Sequence, residues 1–122
     1  MAAAHNNLAS ILVVEDDIDI RSALVQILRM EGHTTAEAAN GKEALEYIRN
    51  NPKPCMVLLD MMMPIMTGRQ FLDVFKNEPD SSSVPVVIIS AVADRIDTSG
   101  AKEFIRKPLE VAKLLEVVAK YC

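Results

Sequence analysis

Short aliphatic runs that stop abruptly at polar or acidic residues constrain this chain more than any other feature. Ile11-Leu12-Val13-Val14 runs into Glu15-Asp16-Asp17, Met56-Val57-Leu58-Leu59 into Asp60, and Val84 to Ile89 into Ser90. Such runs are too short for buried helices. Being apolar at every position, they suit strands covered on both faces of a parallel sheet. Pro85 fits the entrance of its strand, where no ladder donor is needed. His33 to Ala38 reads as a weaker strand, and Phe104-Ile105 as a short one before Lys107-Pro108.

Segments with helical periodicity lie between the runs. Ile20, Leu24, Ile27 and Leu28 share one helix face, and Gly32 stops that helix. Asn40 can cap a second helix with Glu43 as its capping-box partner. Its inner face is Ala44, Leu45 and Ile48, and it fails at Asn50-Asn51-Pro52. Phe71, Leu72 and Phe75 mark a third helix, and Val111, Leu114, Leu115 and Val118 the last one. Alternating strands and helices predict an α/β domain with a parallel sheet and right-handed crossovers. The 122 residues fit one domain. Tryptophan is absent and methionine occurs seven times, so the core is expected to be aliphatic.

Composition removes several classes of function. A formal net charge of −4 argues against a nucleic-acid-binding surface, which needs clustered cations. No apolar run approaches the roughly 20 residues of a membrane span, so no membrane insertion is expected. The amino-terminal stretch lacks the basic and apolar segments of a signal peptide. Residues 1–9 are read as a flexible tail and residues 10–122 as the folded domain. Cys55 and Cys122 show no metal or redox spacing. They are expected to be reduced thiols in a cytoplasmic protein, with Cys55 a packing residue. His5 and His33 have no matching partners and are read as surface or structural.

In open parallel sheets ligands bind beyond the carboxyl ends of the strands. That rim collects Glu15, Asp16 and Asp17, then Asp60, Ser90 and Lys107. Glu15, Asp16 and Asp60 bring three negative charges and Lys107 one positive, leaving −2 before Asp17 is counted. A divalent cation offsets that remainder, and oxygen ligands suit Mg²⁺. Taken singly, each residue has a plainer explanation. The three acids suit a helix N-terminus, Ser90 a strand end and Lys107 solvent. The joint pattern points to phosphoryl chemistry.

Four blocks carry a resemblance: Ile11 to Asp17; Leu58 to Gly68, which reads Leu-Leu-Asp-Met-Met-Met-Pro-Ile-Met-Thr-Gly; Val87 to Ala91; and Phe104 to Pro108. In this order and over nearly the whole chain, they resemble the signatures of response-regulator receiver domains of two-component systems. The resemblance implies a flavodoxin-like, doubly wound, five-stranded parallel sheet of order 2-1-3-4-5 with helices on both faces. It implies that Asp60 accepts a phosphoryl group from a sensor histidine kinase or histidine phosphotransfer protein. It further implies Mg²⁺ held by Glu15, Asp16, Asp60 and the backbone carbonyl of Met62. Lys107 would sense the phosphate, Ser90 and Phe104 would switch, and the Lys107–Pro108 bond would be cis. Such a protein is no classical enzyme, promoting only its own phosphorylation and dephosphorylation. Asp17 lies just past the family's acidic pair and is assigned a supporting or capping role.

The chain also departs from the pattern. Phe104 lacks the hydroxyl of the common tyrosine. Val92 to Lys102 leaves only eleven residues for the connection between strands four and five, many of them turn formers, so helix four is expected to be short or irregular. Met62 and Val92, two positions past Asp60 and Ser90, are apolar where the family governs the approach of hydrolytic water, and slow self-dephosphorylation is expected. Two other functions compete. One is a receiver-like adaptor independent of phosphorylation. The other is a Mg²⁺-dependent aspartyl phosphohydrolase, disfavoured because Met62 stands where such enzymes usually carry a second acid. The downstream target, an output domain or a separate protein, stays open.

Overall fold

The computed structural model describes residues 10–91 and 99–122. The chain order is β1 (Ile11–Val14), α1 (Ile18–Met30), β2 (Thr35–Ala38), α2 (Gly41–Asn50), β3 (Met56–Asp60), α3 (Gly68–Phe75), a 3₁₀ turn (Ser81–Ser83), β4 (Val86–Ser90), β5 (Glu103–Arg106) and α4 (Val111–Tyr121). The five strands form one parallel sheet in the order β2-β1-β3-β4-β5. The four-residue strands β2 and β5 are its edges.

The continuous aliphatic runs form the strands because the sheet is covered on both sides. Every residue of β1, β3 and β4 is buried. Leu12, Val14, Val57, Leu59, Val86 and Ile88 point to one face, against α2 and α3. Ile11, Val13, Met56, Leu58, Val87 and Ile89 point to the other, against α1 and α4. Burying each such side chain is worth about 1.5–3 kcal/mol, so the sheet centre is the stable part of the domain. Phe71 and Phe75 of α3 stack with ring centroids 5.2 Å apart, an aromatic pair set in a largely aliphatic core.

The helix faces follow the expected period but shift at their ends. Leu24, Val25 and Leu28 are the buried residues of α1, while Ile20 is 40% exposed. Leu114, Val117 and Val118 are buried in α4, while Val111 is 46% exposed. A 13-residue helix runs about 20 Å, whereas a four-residue strand spans about 13 Å, so the helix overhangs the sheet beneath it. Periodicity marks the stripe but not where the sheet ends. Asp17 caps α1, accepting from the Asp19 and Ile20 N–H groups. Gly32, at φ +89°, turns the chain after α1 in a conformation that L side chains rarely adopt. Asn40 caps α2 by accepting from Glu43 N–H, and the Glu43 carboxylate accepts from Ala39 N–H rather than from Asn40 itself.

The irregular connection expected before β5 falls on residues 92–98, outside the described residues. A turn at Ser99–Gly100, with Gly100 at φ +95°, then leads the chain toward β5. The reduced-thiol expectation is corrected: Cys55 and Cys122 form a disulfide, with Cα atoms 5.6 Å apart. The two are 67 residues apart in sequence and meet only because the start of β3 and the end of α4 lie at the same end of one sheet face. No local spacing encodes that proximity. Among the described residues no helix is long and apolar enough to cross a membrane.

Candidate functional site

The parallel sheet brings its chemistry to one rim because every strand ends there. Register places Val14 beside Leu59, Asp60 beside Ile89 and Ser90 beside Arg106. Glu15 and Asp16 therefore leave β1 next to Asp60. Lys107 follows β5 and is tied to the end of β4 by its backbone N–H, which donates to the Ser90 carbonyl at 3.0 Å.

Carboxylate oxygens of Glu15, Asp16 and Asp60 all lie within 4.8 Å of one another. Glu15 and Asp60 are buried, at 4% and 5% exposure, while Asp16 is open to solvent. Lys107 Nζ stands 3.8 Å from Glu15 Oε1 and 3.9 Å from Asp60 Oδ1, bridging the two buried acids at the outer limit of ion-pair contact. Asp60 Oδ1 also accepts from Met62 N–H at 3.2 Å, and Glu15 Oε2 from Asp17 N–H at 3.2 Å. Burial pushes the Glu15 carboxyl up to about 7, with the Asp17 N–H opposing and the neighbouring Asp60 charge adding to the rise; Lys107 offsets it only in part.

The other expected residues sit further out. Ser90 is buried at the end of β4. Phe104 is 40% exposed on the edge strand, opposite Ile88 and two residues before the end of β5. The Lys107–Pro108 peptide is cis. Met62 turns its side chain outward, 68% exposed, and meets the site through its N–H.

Three positioning features escaped the reading of the sequence. Arg21, in the first turns of α1, donates from Nη1 to the Glu15 carbonyl at 2.7 Å and from Nε to Glu37 at 3.1 Å, pinning the acidic loop to β2. Thr67 and Gln70 close a capping box on α3, legible in principle from the Thr-x-x-Gln spacing. Gly68 lets α3 begin against the strand: a Cβ there would come 2.7 Å from Met61 Cα and 2.9 Å from the Asp60 carbonyl oxygen. The loop between them holds Ile65 at φ +67°, an unusual conformation for a β-branched residue.

A five-stranded parallel α/β sheet with buried acids and a lysine at its carboxyl rim defines a class, and comparison with known proteins gives the family. Residues 11–119 match the response regulator receiver domain, and the chain belongs to that family. It is 38% identical over 110 residues to the DNA-binding response regulator MtrA of Mycolicibacterium paratuberculosis, covering 86% of this chain and 47% of that protein. The chain thus spans about half the length of the curated relatives it matches. Among solved structures, the receiver domain of NtrX from Brucella abortus superposes with a TM-score of 0.78 at 34% identity, over 92% of this chain and 97% of that one. A receiver domain of a Pseudomonas aeruginosa sensor histidine kinase, solved with magnesium in its active-site cleft, shares the fold at a TM-score of 0.86 and 21% identity, over 93% and 96% of the two chains.

Proposed function

We propose that this receiver domain takes a phosphoryl group on Asp60 from a histidine kinase or histidine phosphotransfer protein and passes the signal on by changing what it binds. The observation that carries this is the Asp60 carboxylate itself. It is buried at a strand end, within 4.8 Å of two further carboxylates and 3.9 Å from the Lys107 ammonium. An Asp60 oxygen attacks phosphorus, the bond from phosphorus to the donor imidazole nitrogen breaks, and that nitrogen keeps the electron pair. Asp60 attacks as the carboxylate, beside the Lys107 ammonium. The same ammonium can then pair with the phosphoryl oxygens, releasing its hold on the acids.

The donor set fits a divalent cation of the magnesium type: hard oxygens and three acids, which leave a charge of −2 after Lys107 once all three are ionised. Glu15, Asp16 and Asp60 would hold it, with the Met62 carbonyl as a fourth oxygen, and when bound it would supply neutralisation of the phosphoryl charge. Ser90 ends the strand next to that of Asp60 and would donate to a phosphoryl oxygen. Phe104, on the neighbouring edge strand, is the side chain whose exposure would report that movement. The cis Lys107–Pro108 bond directly follows the lysine. The reading includes a cytoplasmic location and a chain that turns over no substrate of its own. A downstream protein or output domain would receive the signal.

The test is incubation with acetyl phosphate or a phosphohistidine donor and Mg²⁺. The expected outcome is one stable phosphoryl group per chain, lost in Asp60→Ala and strongly reduced in Lys107→Ala. Continuous release of phosphate would favour the phosphohydrolase, and no labelling the phosphate-independent adaptor. The exposed apolar side chain of Met62 supports a slow decay of the acyl phosphate, since it offers no group to orient water. Met62→Asn is expected to shorten the half-life several-fold in a chase experiment, and an unchanged decay would remove this part of the reading. Val92, the second apolar residue expected to slow hydrolysis, lies outside the described residues.

A further inference from the structure

We propose that Cys55–Cys122 is a thiol–disulfide exchange site, opened by a small or protein dithiol, which controls whether the last turn of α4 is locked to the sheet. This role is independent of the phosphoacceptor reading.

The bond joins two different parts of the sheet. Cys55 precedes β3, the central strand, where its N–H donates to the Ser10 carbonyl at 3.0 Å. Cys122 follows α4, with its N–H on the Val118 carbonyl at 2.9 Å. Beside the disulfide and the packing of Tyr121 against the core face, the described contacts at the end of α4 include two to one carboxylate of the edge strand. Lys120 Nζ lies 2.9 Å and the Tyr121 hydroxyl 2.7 Å from Glu103 Oε2. Both Lys120 and Glu103 are partly open to solvent, where such pairs hold weakly. β5 itself is bonded on one side only. The covalent link therefore does what the edge strand cannot: it fixes the helix end to the middle of the sheet.

Both cysteines are only partly buried, packed at the margin of the α1–α4 core face rather than within it. A thiolate can approach from solvent. It attacks one sulfur to give a mixed disulfide and frees the other as a thiol. The second thiolate of the dithiol then resolves the intermediate. Two electrons and two protons pass to the chain, the dithiol leaves as its own disulfide, and an oxidised dithiol reverses the exchange. The acids lie at the opposite end of β3, five residues or roughly 17 Å away, so exchange reaches the helix end without touching them.

The full chain would be equilibrated over graded ratios of reduced to oxidised dithiothreitol, blocked with N-ethylmaleimide and weighed intact. The expected result is a single transition in which both cysteines become alkylated together within one chain. Across it, amide exchange at Lys120–Cys122 should accelerate about tenfold or more, as for a released helix end, and Tm should fall. Cys122→Ser, which leaves the buried core intact, should exchange fast with and without reductant. Three results would overturn the proposal: both thiols blocked without any reductant, cross-links only between chains, or last-turn exchange equal in the two states.

Discussion

At the residue scale, Glu15 is where the energetics of the site are most exposed to measurement. Its carboxyl is pushed up from 4.5 to about 7, chiefly by burial, with Asp60 adding to the rise. Between those two values the folded chain holds a proton that the unfolded chain has released. Glu15 therefore stabilises the fold below about pH 4.5, and that contribution is lost as pH rises through 7. In metal-free buffer, urea unfolding should show a loss of roughly 1–3 kcal/mol from this group across the window. Glu15→Gln should flatten that slope and be the more stable protein at pH 8. A slope unchanged in the variant would assign the pH dependence elsewhere. The acids themselves were legible because each ends an aliphatic run. Arg21, which anchors their loop through a backbone carbonyl, was not, because its partner is a main-chain atom that carries no sequence signal.

At the scale of elements, the start of α3 shows how the strand bearing Asp60 is held. The helix begins against the Met61 backbone, and Gly68 is the residue that permits the approach. Gly68→Ala would force a Cβ to within 2.9 Å of the Asp60 carbonyl oxygen, so strand and helix must separate. A destabilisation of about 1–3 kcal/mol is expected, together with slower labelling of Asp60. Thr67→Ala removes only the cap and should cost about 1 kcal/mol with labelling nearly unchanged. Thermal melts and labelling rates on the two variants separate the effects. The three inner strands were readable because burial on both faces leaves a run with little polar interruption, whereas the edge strands carry exposed polar residues and gave a weaker signal. The outer residues of helices were harder to place, as Ile20 and Val111 illustrate, since periodicity continues past the edge of the sheet. The Cys55–Cys122 bond lay beyond any local rule: its partners are brought together by the packing of α4 on one face of the sheet.

For the whole molecule, the acidic rim links ligand binding to global stability. A cation that binds the folded rim and not the unfolded chain stabilises by about 2.7 kcal/mol at a hundredfold excess over its Kd. Mg²⁺ is thus expected to raise Tm by several degrees relative to EDTA, and Asp60→Asn to remove most of that gain. No response of Tm to Mg²⁺ in the unaltered chain would argue against a cation at this rim.

The two border strands carry a different consequence. Each is four residues long, and each places charge along its length: Glu37 on one, Glu103 and Arg106 on the other. Glu103 is further engaged by Lys120 and Tyr121 from the last helix. A second copy approaching sideways would have to strip water from these ions to continue the ladder, for few new main-chain bonds. The margins thereby disfavour edge-to-edge growth of the sheet, and crowded conditions should not extend it into ribbons.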